Sequence, residues 1–295
     1  MHSVMKKLSE IFKNKKTTFS LELFPPKTDR GYENLLKTIE SLKDIGPDFI
    51  SCTYGAGGGS RDKTLDIVEH IEKQHQIPGV AHLTCVLNTK SEINKILQDI
   101  KERGIQNILA LRGDPPKENP EWQPTDDNFK YTYELCDFIR TKYNDYFNIG
   151  VAGFPEGHVS CSDKDLDAQY LKKKIDSGAD YVITQLFFDN NQYIHYAKRL
   201  KELGIKNRII PGIFPITDYH GICRFCDICG TSIPKEIHEI FKPIANDKEA
   251  VLKKGTDFCI QQCQELLSIG APGIHFYALN KLHPVKEILS KIKIP

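Results

Sequence analysis

The residue in this sequence best placed to move a proton is Glu22, which interrupts the apolar run TTFSLELF at 17–24. If that run is a strand, alternation sets Ser20 and Glu22 on one face and Phe19, Leu21 and Leu23 on the other. A carboxyl on the interior face either pairs with an inward Arg or Lys, or has its pKa raised by desolvation until it can serve as a general acid near neutrality. Comparable groups stand at the ends of later apolar runs: Thr53 and Tyr54 in DFISCTY, His82 in VAHLTC, Arg112 and Asp114 in LRGDPP, His158 in GFPEGH, Gln185 and Asp189 in TQLFFD. Each has a quieter reading by itself, His82 as a satisfied core imidazole and Arg112 with Asp114 as an ion pair. Six runs offering polar or aromatic groups at one end point instead to a catalytic mouth, and to an enzyme over a binding scaffold.

Two further stretches could do chemistry. TYGAGGGSRD, 53–62, begins like a dinucleotide fingerprint at Gly55 and Gly57, but Ser60 replaces its third glycine. The loop also follows the second strand-like run, and the third carries no acid at its end to hold a ribose. A barrel loop that lets backbone approach a ligand is the better reading. CRFCDIC places Cys223, Cys226 and Cys229 three apart, which suggests an iron–sulfur or zinc site, but no fourth Cys or close His completes a set. One helical stripe explains the same spacing, so no metal is expected.

The elements that must position these groups recur in order. Strand-like runs at 17–24, 48–54, 79–87, 107–113, 149–154, 181–188, 208–214 and 273–279 alternate with helical patterns at 32–45, 64–74, 91–103, 132–143, 165–177 and 192–203. Eight such units in one chain of this length predict a closed, all-parallel (β/α)8 TIM barrel of the α/β class, with a doubly wound sheet as the alternative. DPPKENPEWQPTDDN, 114–128, reads as a long surface loop, and nothing divides the chain. A single domain over 1–295 is expected, opened by an N-terminal helix within 1–16.

Composition narrows the partners. Forty Lys and Arg against 39 Asp and Glu leave no global field for nucleic acid or an anionic membrane. No run approaches a membrane span or a signal-peptide core, so a cytoplasmic protein is expected. Nine cysteines in such a chain read as reduced thiols.

LELFPPK, TYGAGG, HLTC, LRGDPP, GFPEGH, ITQLFFD, PGIFPI and HFYALN, in this order along nearly the whole chain, resemble the methylenetetrahydrofolate reductases. The resemblance implies a flavoprotein of one-carbon metabolism that makes 5-methyltetrahydrofolate by a ping-pong reaction. NADH or NADPH reduces a tightly but non-covalently bound FAD and leaves; the folate then enters and takes hydride. It implies Glu22 as the general acid that protonates N10 when the imidazolidine ring opens. Asp114 becomes the carboxylate beside the flavin, worth about 4 kcal/mol at about 4 Å and an effective dielectric near 20. Gln185 would bond the pterin or the nicotinamide in turn. FAD contacts carry over to Thr53, Tyr54, Ala56, His82, Arg112, Gly113, Asp114, Phe154, His158, Asp167 and Lys174, with Arg112 and Lys174 suited to the pyrophosphate and Asp167 to a ribose hydroxyl. Phe225 and Lys281 would join Gln185 in binding substrate, and a homo-oligomer is implied.

The sequence departs from the family pattern in places. Phe154 stands where Tyr is usual, and Lys281 where Arg is usual, keeping charge without the bidentate fork. Lys173 and Tyr170 occupy less regular positions. A chain ending here is expected to lack the family's C-terminal regulatory domain that binds S-adenosylmethionine. Two other functions compete. A Schiff-base aldolase would need a lysine inside a strand, and none is there. An electron-transfer or assembly subunit would use Cys223, Cys226 and Cys229 for a cluster on a barrel scaffold.

Overall fold

The computed structural model describes residues 6–54, 61–115 and 119–293. Strands β1 (Thr18–Leu23), β2 (Phe49–Cys52), β3 (Gly79–Thr84), β4 (Asn107–Leu111), β5 (Asn148–Gly153), β6 (Tyr181–Leu186), β7 (Arg208–Ile213) and β8 (Gly273–Tyr277) are all parallel and run in chain order around a closed barrel. β8 pairs back onto β1, setting Ser20 beside His275 and Glu22 beside Tyr277. The predicted (β/α)8 barrel is what the chain forms. The helices around it are α1 (Leu8–Asn14), α2 (Asp29–Glu40), α3 (Arg61–His70), α4 (Lys90–Glu102), α5 (Thr132–Tyr143), α6 (Lys164–Asp176), α7 (Asn190–Glu202), α8 (Tyr219–Cys229), α9 (Lys235–Phe241), α10 (Lys248–Ser268) and α11 (Leu282–Lys291).

Local chemistry sets where these helices begin. Thr89 and Glu92 close a reciprocal capping box on α4. The carboxylates of Asp163 and Asp189 accept backbone N–H groups at the starts of α6 and α7. Asp189, expected at the rim as a polar site group, therefore serves as a helix cap.

The apolar sides of the helices pack on the outer faces of the strands in one core that includes Leu21, Ile50, Leu83, Leu97, Ile108 and Val151. Each such side chain contributes about 1.5–3 kcal/mol by leaving water. Inside the barrel the lower layers are also apolar: Phe49, Val80, Leu109, Tyr181, Ile183 and Ile210 pack together, and Leu8 of α1 closes them from beneath. Phe12 of α1 meets the Tyr181 ring edge-on at 5.4 Å, and the Leu8 amide donates to Asn107 Oδ1 at 2.9 Å. Arg208 lies over the Phe12 ring and donates to Lys15 O at 2.8 Å. α1 is thus a plug for the bottom of the barrel.

Among the described residues no helix is long and apolar enough to cross a membrane.

Candidate active site

Polar groups take over in the upper layers of the barrel. Glu22, 6% exposed, extends its Oε2 to 3.4 Å from His82 Nε2 and 3.7 Å from His275 Nε2. Ser20 Oγ lies 2.7 Å from His275 Nδ1 on the far side of that ring, and among the described residues neither imidazole Nε2 completes a hydrogen bond. Burial pulls the His82 pKa down to about 4, against the attraction of Glu22 and with help from His275. At neutral pH the carboxyl thus faces an uncharged ring from β3. Tyr277 Oη donates to Thr184 O at 2.6 Å, and burial first and Glu22 second push its phenol well up. The inward Arg or Lys considered for Glu22 is not its partner; among the described residues its ion-pair partners are His82 and His275.

Gly212 makes room for this layer. A Cβ there would lie 2.2 Å from Thr184 O and 2.6 Å from the Tyr277 ring. The β6–β7 register breaks between Ile183 and Leu186, the stretch that carries Gln185. In this conformation Gln185 Oε1 accepts from the Leu186 amide at 2.9 Å.

A second group forms the rim. The β3–β4 ladder runs past the strand ends, with the Val86 amide donating to Arg112 O at 2.8 Å, and then turns at Gly113 with φ of 82°. A Cβ on Gly113 would meet Val86 Cγ1 at 2.6 Å, so both conformation and space require glycine. Asp114 follows, exposed. His158 meets the Phe154 ring edge-on at 4.7 Å, and its Nδ1 accepts from the Ser160 amide at 3.1 Å, which leaves Nε2 to carry the proton of the neutral ring. Burial and the nearby Lys174 lower the His158 pKa, Asp114 opposing and Arg112 reinforcing. Four groups from separate positions therefore act on one another here. Lys174 Nζ donates to Ala152 O at 2.9 Å and lies 5.6 Å from the centre of the Phe154 ring. Burial lowers its pKa, Asp167 opposing. Asp167 in turn is pushed up to about 6 by burial, despite Lys174 and Arg199.

A mouth with an enclosed carboxyl at its base and basic groups on its rim can be compared with known proteins. A family model described as methylenetetrahydrofolate reductase matches residues 7–293. The chain belongs to this family. It is 38% identical over 286 residues to methylenetetrahydrofolate reductase (NADH) 1 of Arabidopsis thaliana, covering 94% of this chain and 48% of that protein. A probable methylenetetrahydrofolate reductase (NADPH) of Caenorhabditis elegans is 36% identical, with 97% of this chain and 44% of that protein covered. The 5,10-methylenetetrahydrofolate reductase of Salmonella typhimurium is 34% identical, with 89% and 86% covered. The chain thus spans about half the length of the plant and animal relatives it matches. Among solved structures, a Clostridium thermocellum protein described as binding two copies of 5-methyl-5,6,7,8-tetrahydrofolic acid shares the fold, with TM-score 0.67 at 18% identity over 96% of this chain and 98% of that one. Oxaloacetate acetylhydrolase superposes with TM-score 0.54 at 10% identity, covering 96% of this chain and 83% of that one. A barrel likeness at such identity speaks for fold and not for chemistry.

Of the residues expected at the site of this family member, Glu22, Thr53, His82 and Gln185 come from strands or their ends within the barrel, and Arg112, Gly113, Asp114, Phe154, His158, Asp167 and Lys174 gather at the rim around β4, β5 and α6. Thr53 is anchored at both ends: its amide donates to Leu23 O at 2.9 Å and its carbonyl accepts from Thr64 Oγ1 at 2.8 Å. Tyr54 follows it, half-buried. Ala56, with Gly55, Gly57 and Ser60, lies outside the described residues. Phe225 is on α8 and packs on Phe214 at 5.2 Å, while Lys281 precedes α11 with its Nζ 3.4 Å from Thr217 Oγ1. Cys223, Cys226 and Cys229 share α8 with Cys226 buried, as the helical stripe predicts, and all nine cysteines are free thiols.

Two features were not read from the sequence. His275 and Tyr277 complete the Glu22 cluster, and strict alternation along GIHFY, with Gly273 as the third inward position, was the available signal. Tyr131 stacks on both Tyr133 and Tyr170, at 5.3 and 5.6 Å, with Lys173 Nζ over two of the rings. Aromatic spacing across two helices left no period to detect.

Proposed function

We propose that this chain reduces 5,10-methylenetetrahydrofolate to 5-methyltetrahydrofolate, using FAD as cofactor and NADH or NADPH as reductant. The observation that carries the reading is Glu22, enclosed at the base of the mouth with two imidazoles and, among the described residues, no lysine or arginine paired with it. A carboxyl so placed suits delivery of a proton to N10 of the folate, where the leaving amine needs one as the five-membered ring opens.

The rim fits a flavin dinucleotide. Gly113, held to glycine by its positive φ and by Val86 and Thr84 beside it, turns the backbone at the rim, Arg112 and the half-buried Lys174 suit the pyrophosphate, and Asp167 suits a ribose hydroxyl. His158, with its Nε2–H free to donate, adds a neutral donor, and Thr53, Tyr54 and His82 would line the side nearer β2 and β3. When bound there, the flavin supplies hydride transfer from the nicotinamide to the methylene carbon of the folate. Asp114, exposed at the rim, suits the positive charge that develops on the folate as its ring opens. Gln185 can give up its contact with its own neighbour to bond a pterin or a nicotinamide amide, and Phe225 and Lys281 would join it in binding substrate. Relatives named for NADH and for NADPH both match, so the reductant is left open between them.

The test separates the two half-reactions. An anaerobic spectrum should show a flavin band that bleaches with one nucleotide and returns when methylenetetrahydrofolate is added. In Glu22→Gln the bleaching step should persist, while the return slows by roughly 10²–10⁴-fold, the usual worth of a general acid. Both steps intact in that variant would remove Glu22 from the role, and a protein that takes up no flavin when supplied with it would sink the whole reading.

A further inference from the structure

At the opposite end of the barrel from the mouth, α2 and α3 finish side by side. Three residues with ligating atoms meet there: Glu40 at the end of α2, His70 at the end of α3 and His75 at the end of the π turn Ile71–His75 that continues it. One donor atom from each lies within 4.8 Å of the other two. His75 Nε2 is 3.7 Å from Glu40 Oε1, and the two imidazole rings are 5.6 Å apart at 60°.

The π turn creates this arrangement. On an α-helix, residues five apart are turned from each other by about 140°, since each residue turns 100°. A turn closed by i→i+5 bonds winds more slowly and returns His75 to the face of His70. Ile71 and Glu72, between them, are buried on the inner side, where Glu72 Oε1 accepts from the Gly79 amide at 3.0 Å. His70 Nε2 is buried and makes no hydrogen bond among the described residues. The His75 side chain is 1% exposed and that of Glu40 61%, so the site is walled by imidazole and open to water on the carboxylate side.

We propose that Glu40, His70 and His75 form a divalent transition-metal site, with zinc as its favoured ion, that clips α2 to α3. Two imidazoles and one carboxylate suit zinc, cobalt or nickel and do not suit magnesium or calcium, which take oxygen. Tetrahedral donors at about 2.1 Å from zinc stand about 3.4 Å apart, so separations that all lie within 4.8 Å need close by no more than about 1.4 Å, a movement within reach of the exposed glutamate. Water fills the fourth position. The ion lies on the face of the barrel that serves stability, away from the mouth, so it strengthens the fold and leaves turnover unchanged.

The test uses untagged full-length protein, stripped with a chelator and dialysed, with Co²⁺ as a spectroscopic probe and Zn²⁺ alone in calorimetry. One equivalent of Co²⁺ should bind with visible d–d bands and no thiolate charge-transfer band, and stoichiometric Zn²⁺ should raise Tm. Glu40→Gln should weaken binding at least tenfold and His70→Gln should abolish it, each variant keeping the wild-type circular dichroism. His70 and Glu40 are chosen because the enclosed His75 could affect folding by itself. Wild-type protein that binds no metal, variants that bind as well as wild type, or a thiolate band showing that cysteines hold the ion, would each overturn the site.

Discussion

His82 shows what burial does to a single group in this barrel. Its imidazole is held at about 4 in the fold against 6.5 in the unfolded chain, so between those values the unfolded chain takes up a proton that the folded one refuses. The stability tied to this residue is therefore complete above pH 6.5 and is lost as the pH falls towards 4, by up to about 3 kcal/mol at about 1.4 kcal/mol per pH unit. His82→Asn should remove that part of the acid sensitivity. Urea midpoints at pH 7 and pH 4.5 measure it: the gap should narrow in the variant, and an unchanged gap would assign the acid loss to other groups. The same residue marks a limit of sequence reading. An isolated His in VAHLTC could be a core imidazole or a site residue, and nothing in that run tells that Glu22 of β1 comes to 3.4 Å from its ring.

The elements were legible to different degrees, and for physical reasons. The strands announced themselves because they are buried on both faces and read as short continuous apolar runs. Helix onsets shifted by a residue or two where a side chain caps the helix, as Asp163 and Asp189 do, because capping is decided by backbone geometry at one position. The π turn after α3 left no mark, since HIEKQH carries an ordinary helical composition. The close approach of Gly212 on β7 was equally hidden, being a property of three strands at once. Gly212→Ala puts a methyl against the Thr184 carbonyl, which is backbone and cannot swing aside. The cost should be about 3 kcal/mol or more, at the upper end of overpacking effects, with Tyr277 displaced from its bond to Thr184. A thermal melt of the variant within a degree of wild type would show that β6 and β7 separate more easily than their register suggests.

For the molecule as a whole, counting eight strand–helix units was enough to reach the barrel, but not its interior. The Glu22 cluster draws on β1, β3 and β8, and closure of the ring is what makes the first and last of these neighbours. The role of α1 was also out of reach, because a short amphipathic helix says nothing about which cavity it covers. Leu8→Ala should lower stability by about 2–5 kcal/mol, the range for emptying a buried leucine site, although the helix itself is short and terminal. Denaturant titration reads this directly, and a loss near zero would mean that α1 rests on the barrel without sealing it.

If Glu22 is the proton donor proposed above, that seal sets the route by which it is recharged. Below the carboxyl the barrel axis is filled by the rings of Phe49 and Tyr181 and then by Leu8 and Phe12, so exchange with bulk solvent runs upward. A ligand lying across the mouth closes that route. The carboxyl would then carry one proton into each cycle and regain it only after the product has gone, so that product departure and reprotonation become a single kinetic event.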